Sequence, residues 1–126
     1  MAIFFFPLFA LLSFGQSTQN PMPASQPYKA QLVTEEQGNM LSINSQFTNN
    51  SNTDVSFSYR MKSERAGTAG KSVNSQSGMV QAAAGQTIIL SKSSFSVTPQ
   101  DTYTIVLEIL DQDKVVAQDM IVYQGN

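Results

Sequence analysis

From Tyr28 to Tyr123, apolar and polar residues alternate along most of the chain with a period of two. The clearest segment runs from Val55 to Lys62, where four apolar residues alternate with four polar ones. Successive side chains of a β-strand point to opposite faces, whereas a helix would scatter these apolar residues around its circumference. The pattern therefore predicts a strand with one buried face and one exposed face.

Turn and loop signals divide the alternating region into seven such segments, and none has the spacing of an amphipathic helix. Loops are predicted at Asn49–Asn52 and Ala66–Gly70. The mostly polar segment Lys71–Gln81 is predicted to be a weak or edge strand. Thr87–Val97 is expected to bend or bulge at Ser91-Lys92. Tyr103–Asp111 carries apolar residues on both faces, which predicts a strand buried on much of both sides.

The number and spacing of these segments predict an all-β fold. We expect an immunoglobulin-like antiparallel β-sandwich of about seven strands. The chain has 126 residues and no cysteine, so this domain must fold by packing alone.

The N-terminus has the features of an export signal. Ile3–Phe14 is an apolar run of 12 residues, too short to span a bilayer as a helix, and Ser13 and Gly15 precede a predicted cleavage after Gly15. We interpret residues 1–15 as a signal peptide. The alternative is a buried first strand.

Residues 16–27 contain three prolines and little to bury, which indicates a flexible Pro-rich leader before the folded domain at residues 28–126. The alternating region contains no second long apolar segment, so we expect no stable membrane insertion.

Composition narrows the chemistry. The chain has no His and no Cys, which excludes Ser-His-Asp and Cys-His nucleophile systems and the usual zinc sites. We therefore predict no enzyme, no cofactor and no metal. Asp111 and Asp113 resemble a fragment of a calcium loop but lack its other ligands, which favours hairpin-turn chemistry. The carboxylates Glu35, Glu36 and Asp101 leave a carboxylate-only hydrolase as a further alternative.

Charge is unevenly distributed along the chain. Four of the seven basic residues lie within 12 positions and are offset only by Glu64, a local charge of +3; they are Arg60, Lys62, Arg65 and Lys71. We expect a basic patch that attracts an acidic or amide-rich protein partner. The alternative is a solvated face that discourages edge pairing. No nucleic acid is expected, because the net charge is −2 and no aromatic residues interleave with these charges.

Three short motifs carry a resemblance to a known family. They are Arg65-x-Gly67-x-x-Gly70-x-Ser72, Gln76-Ser77-Gly78 and Gly85-Gln86-x-Ile88-x-Leu90-Ser91. They resemble the CsgC/CsgH family of small periplasmic proteins encoded with curli, which restrain amyloid assembly of the curli subunits. The resemblance spans about residues 41–123. The CsgH branch is the closer likeness, because Val55 and Phe57 occupy the positions of a Cys-x-Cys pair in CsgC.

The resemblance implies a periplasmic, chaperone-like inhibitor of curli or amyloid subunit polymerisation. Such a protein would bind unfolded fibre subunits, which are rich in Gln, Asn, Ser and Gly, transiently and without ATP. We expect it to be a monomer. The alternative function is an exported adhesion or envelope-assembly module that binds a folded protein or a carbohydrate.

Two groups of residues are the candidate partner-binding site on this interpretation. Electrostatic capture is assigned to Arg60, Lys62 and Arg65, and contact with extended subunit backbone to Ser75, Gln76 and Ser77. Gly67 and Gly70 belong to the same candidate site. Turn geometry that requires a positive φ is an equally good account of these two glycines.

Overall fold

The computed structural model describes residues 27–125, which form seven antiparallel strands and no helix. The strands are β1 (Tyr28–Gln37), β2 (Met40–Asn49), β3 (Val55–Gly67), β4 (Gly70–Ala82), β5 (Thr87–Ser96), β6 (Thr102–Asp111) and β7 (Lys114–Gln124). The predicted signal peptide (1–15) and all but the last residue of the predicted leader (16–27) lie outside the described residues. Within residues 27–125, no helix is long and apolar enough to cross a membrane.

The strands form two sheets, and the prediction of an immunoglobulin-like β-sandwich is confirmed. One sheet has the order β1-β2-β5 and the other has the order β4-β3-β6-β7. β4 is an edge strand, as its polar composition predicted, and β6 lies between two neighbours, as its apolar character on both faces predicted.

The core lies between β2 of the first sheet and β6 of the second. Six side chains on the facing sides of these strands are at most 1% exposed: Leu41, Ile43, Phe47, Ile105, Leu107 and Ile109. Burial of each stabilises the fold by roughly 1.5–3 kcal/mol. At one end of the sandwich, the Tyr28 and Phe57 rings meet edge to face with centroids 4.9 Å apart. These contacts decide which face of each strand points inward.

The β3–β4 connection is shorter than the sequence predicts. The expected loop at Ala66–Gly70 is wrong in extent, because strand pairing continues to Gly67 and Gly70 and only two residues form the turn. The predicted bulge in β5 is displaced by one residue. Ser45 pairs with Ser91 and Gln46 pairs with Ile89, so Leu90 is the extra residue.

Asn49, predicted to begin a loop, instead ends β2 and is fully buried. Its Nδ2 donates hydrogen bonds to the carbonyl oxygens of Thr53, Ala82 and Ala83 at 2.8, 3.1 and 3.2 Å. Its Oδ1 accepts from Ser51 N at 3.0 Å and from Ser51 Oγ at 2.6 Å. One amide thus joins the end of β2 to the end of β4 in the opposite sheet.

The two sides of the sandwich differ. On one side, Leu32 N of β1 donates to Asp119 Oδ2 of β7 at 2.8 Å. On the same side, the Glu36 carboxylate of β1 raises the pKa of the Tyr123 hydroxyl of β7. On the other side, a groove opens between β4 and β5. We therefore expect a binding site at the edges of β4 and β5.

We expect Asn49→Asp to destabilise the domain by about 3 kcal/mol or more. The change replaces the buried Nδ2 donor by a charged acceptor that faces three carbonyl oxygens. Asn50→Asp is the matched control, because the Asn50 side chain is exposed. Urea unfolding of both variants measures the difference, and equal midpoints would contradict the anchoring role of Asn49.

Candidate functional site

Four of the predicted site residues lie together on the solvent-facing side of the four-stranded sheet. Arg60 of β3 pairs with Ser77 of β4, and Lys62 pairs with Ser75. All four residues are exposed. They share a face because the core residues of β3 occupy its odd-numbered positions and force the even-numbered ones outward. We call this group the β3–β4 outer surface.

Arg65 and Gln76 are not part of that surface. Gln76 pairs with Met61, is half-buried, and lines the groove between β4 and β5. Arg65 also lines the groove, and its Nε donates to Asp101 Oδ2 at 2.8 Å. The residues predicted as one basic and polar site therefore divide between two faces of the same hairpin.

Ion pairs from distant parts of the chain change the charge expected from the sequence. Arg60 Nη2 lies 2.7 Å from Glu108 Oε1. Arg65 Nε lies 2.8 Å from Asp101 Oδ2. A third pair joins Lys71 to Glu64 at 2.9 Å. The expected local charge of +3 is therefore corrected to about +1, since both acids come from outside the segment. Within the described part of the chain, Lys62 is the one basic residue of this segment without an ion pair.

The two glycines of the hairpin have different structural roles. Gly70 has a φ of +121°, so positive-φ geometry explains it. Gly67 does not have a positive φ; instead, a Cβ at this position would overlap the Asp101 carboxylate. The Asp101 side chain is only 6% exposed and is the partner of Arg65. Gly67 therefore makes space for the buried carboxylate of the Arg65–Asp101 ion pair beside the turn.

The free edge of β4 is formed by the backbone of the serines on the outer surface. A two-residue turn makes Gly67 and Gly70 a hydrogen-bonded pair, and hydrogen-bonded and non-hydrogen-bonded pairs alternate along an antiparallel ladder. By this alternation Ser75 and Ser77 lie in non-hydrogen-bonded pairs. Their N–H and C=O groups point away from β3, toward the open edge of the sheet.

The groove between β4 and β5 has a volume of about 300 Å³. Its lining includes Ser93 and Phe95 from β5 and Tyr103 from β6, none of which was predicted as a site residue. A signal was present in the sequence. Ser91 and Ser93 occupy positions of β5 where the alternation calls for core residues, and small polar side chains there leave the space between the sheets unfilled.

Comparison with known proteins identifies the class to which this sandwich belongs. Residues 24–120 match the family Tafi-CsgC, described as thin aggregative fimbriae synthesis protein. The chain belongs to this curli-related family.

Two smaller solved structures are similar to this chain over most of their own length. The E. coli curli protein CsgC has 26% sequence identity and a TM-score of 0.62, over 74% of this chain and 96% of CsgC. R. palustris CsgH has 18% identity and a TM-score of 0.55, over 72% of this chain and 89% of CsgH, and supports the fold alone. The family resemblance is confirmed; the closer likeness to the CsgH branch stays a prediction.

The same fold occurs inside larger proteins. Bacteroides uniformis β-glucuronidase 2 has 10% identity and a TM-score of 0.58, over 79% of this chain but only 14% of the enzyme. This likeness shows a shared sandwich fold and carries no statement about activity. No curated protein sequence matches the chain.

We expect Gly67→Ala to destabilise the domain by about 1–3 kcal/mol, because the new methyl group would displace the Asp101 carboxylate. In an Asp101→Ala background the same substitution should cost clearly less. The unfolding free energies of the wild type, the two single variants and the double variant form a double-mutant cycle. Strictly additive effects would show that Gly67 and Asp101 are not coupled.

Proposed function

We propose that this protein is a periplasmic, chaperone-like inhibitor of curli-type amyloid assembly, which binds unfolded fibre subunits transiently and without ATP. The observation that carries the proposal is the β3–β4 outer surface, where a Ser-rich free strand edge lies beside the uncompensated charge of Lys62. Membership of the curli-related family supports it. On this proposal the protein is a binding protein and no part of the surface performs catalysis.

The strand edge supplies the first element of recognition. An unfolded subunit has free backbone N–H and C=O groups, and an exposed sheet edge can pair with them whatever the side chains are. Ser75 and Ser77 add exposed hydroxyl groups at the same positions. Hydroxyl groups both donate and accept hydrogen bonds, which suits a partner rich in Gln, Asn and Ser.

Charge supplies the second element. Lys62 attracts acidic residues of the partner, and Arg60, whose side chain is 56% exposed despite its contact with Glu108, adds further donors. Attraction by exposed charges raises the rate of encounter more than the lifetime of a complex. Weak, rapidly formed contacts are what transient capture of a subunit requires.

The composition of the β4 edge also limits how tightly it holds a bound chain. Ser75 and Ser77 are the outward-facing residues between Val73 and Met79, so a strand paired along this central stretch buries little apolar surface against them. A subunit already in a fibre offers an incoming chain the same backbone hydrogen bonds, and it also packs tightly against the side chains of that chain. The inhibitor therefore delays assembly without itself becoming a template.

We expect Lys62→Glu to shorten the delay that the protein imposes on subunit polymerisation by roughly threefold to tenfold, because it reverses the uncompensated charge. Lys114→Glu is the matched control; it makes the same charge change at the exposed first residue of β7, directly after the β6–β7 turn. Thioflavin kinetics of a curli subunit at substoichiometric inhibitor measure both. Equal effects of the two variants would contradict a role for the β3–β4 outer surface.

A proline at position 75 tests strand addition at the β4 edge. Ser75→Pro removes an N–H that does not bond to β3, and we expect it to weaken inhibition severalfold while leaving the fold intact. Ser75→Thr keeps the N–H and is the control, with unfolding midpoints checked for both. Undiminished inhibition by the proline variant would rule out pairing at this edge.

The function itself has a simpler test. The wild-type protein should delay subunit polymerisation when it is strongly substoichiometric. Absence of any delay at equimolar protein would overturn the proposed function. Binding to a folded protein or a carbohydrate without such a delay would favour the adhesion or envelope-assembly alternative.

A further inference from the structure

The three-stranded sheet has one strand fewer than the sheet it covers, and the space left over is the groove between β4 and β5. We call it the β4–β5 groove. It has a volume of about 300 Å³, and its lining includes Met61, Asn74, Gln76, Ser93, Phe95 and Tyr103. This volume is at the lower end of the range for ligand pockets.

One wall of the groove is the free edge of β5. Val97 N donates to Asn39 O at 2.7 Å, so the odd-numbered residues of this stretch of β5 bond to β2. The alternation of an antiparallel ladder then directs the N–H and C=O groups of Lys92, Ser94 and Ser96 away from β2. The backbone groups of Lys92 and Ser94 are thus free beside the groove, whereas the Ser96 C=O accepts a hydrogen bond from the Tyr103 hydroxyl at 3.4 Å.

Inside the groove, Ser93 provides a hydrogen-bonding group without a partner. Ser93 pairs with the core residue Ile43 and points between the sheets. Its Oγ is buried and has no hydrogen-bond partner among residues 27–125. Leaving a buried hydroxyl without a hydrogen bond carries a free-energy cost. A ligand that offers a donor or an acceptor at this point recovers part of that cost.

The lining also defines the character of the ligand. The charged residues at the groove are already paired, Arg65 with Asp101 and Glu64 with Lys71. The floor includes the Phe95 and Tyr103 rings, which stack with centroids 5.2 Å apart. The remaining side chains are serine hydroxyls and the Asn74 and Gln76 amides, together with the apolar Met61, Val73 and Ile105. Such a lining favours uncharged side chains that combine a short apolar part with an amide or a hydroxyl.

We propose that an extended, uncharged, amide-rich peptide segment adds to the free edge of β5 as a fourth strand of the smaller sheet. Its alternate side chains enter the β4–β5 groove, where one hydrogen-bonds to Ser93 Oγ. The inference rests on the proposed function for the identity of the protein that supplies this segment. The site itself is separate from the β3–β4 outer surface and binds by a different strand edge.

The test uses the folded protein with an eight-residue synthetic peptide of Gln, Asn, Ser and Gly as the probe. Titration into isotope-labelled protein, followed by NMR, should shift the amides of Lys92–Ser96 and slow hydrogen exchange at Ser94. A peptide with two of its residues changed to Glu should bind several-fold more weakly. Amide shifts confined to β3 and β4 would overturn the inference.

Two substitutions separate binding from folding. Ser94→Pro removes an N–H at the free edge and should weaken peptide binding roughly tenfold, whereas Ser94→Thr should not. Ser93→Val removes the unpartnered hydroxyl, so it should leave the unfolding midpoint unchanged or raise it while weakening the peptide. Unchanged peptide affinity in both Ser94→Pro and Ser93→Val would contradict the inference.

The same experiments distinguish this inference from the proposed function. If Lys62→Glu reduces the delay of polymerisation while Ser94→Pro changes neither the delay nor peptide binding, the groove inference fails and the proposed function stands. If the peptide binds at β5 but the wild-type protein does not delay polymerisation, the groove inference stands and the proposed function fails.

Discussion

The orientation of β3 within its sheet decides which residues of the β3–β4 hairpin face the core and which face solvent. Phe57 and Met61 must face the core, so Arg60 and Lys62 must face solvent. The two-residue turn then transfers the same alternation to β4. A shift of one residue in this pairing would exchange the outer surface with the groove lining. The contacts that bury the odd-numbered face of β3 therefore also decide which groups a partner can reach.

Charge on this hairpin is determined by strands that are distant in sequence. Arg60 and Arg65 belong to β3, yet their acidic partners come from β6 and from the turn before it. Exposed ion pairs such as Arg60–Glu108 contribute little to stability, but they change the field that a partner meets. Arg65 has the opposite character, because the Asp101 side chain it contacts is buried and Gly67 leaves space for it. Nearby residues of similar type thus have different roles.

The two sides of the sandwich explain where binding is expected. The side between β1 and β7 is closed by the Asp119 hydrogen bond to Leu32 N. The other side leaves the edges of β4 and β5 open, with a groove between them. Unpaired edges invite association with other chains. The proposed function requires such an edge, but with small polar side chains that limit the apolar area buried.

The sequence was sufficient to predict the strand content, the sandwich class, the edge position of β4 and the resemblance to a curli-related family. These features follow from the local alternation of apolar and polar residues and from short motifs, both of which are visible in one sequence. It did not determine the extent of the β3–β4 turn, the burial of Asn49 or the division of the candidate site between two faces. Those depend on register and on contacts such as Arg65–Asp101, 36 residues apart in sequence. Only packing of the two sheets brings such residues together, and it also creates the β4–β5 groove.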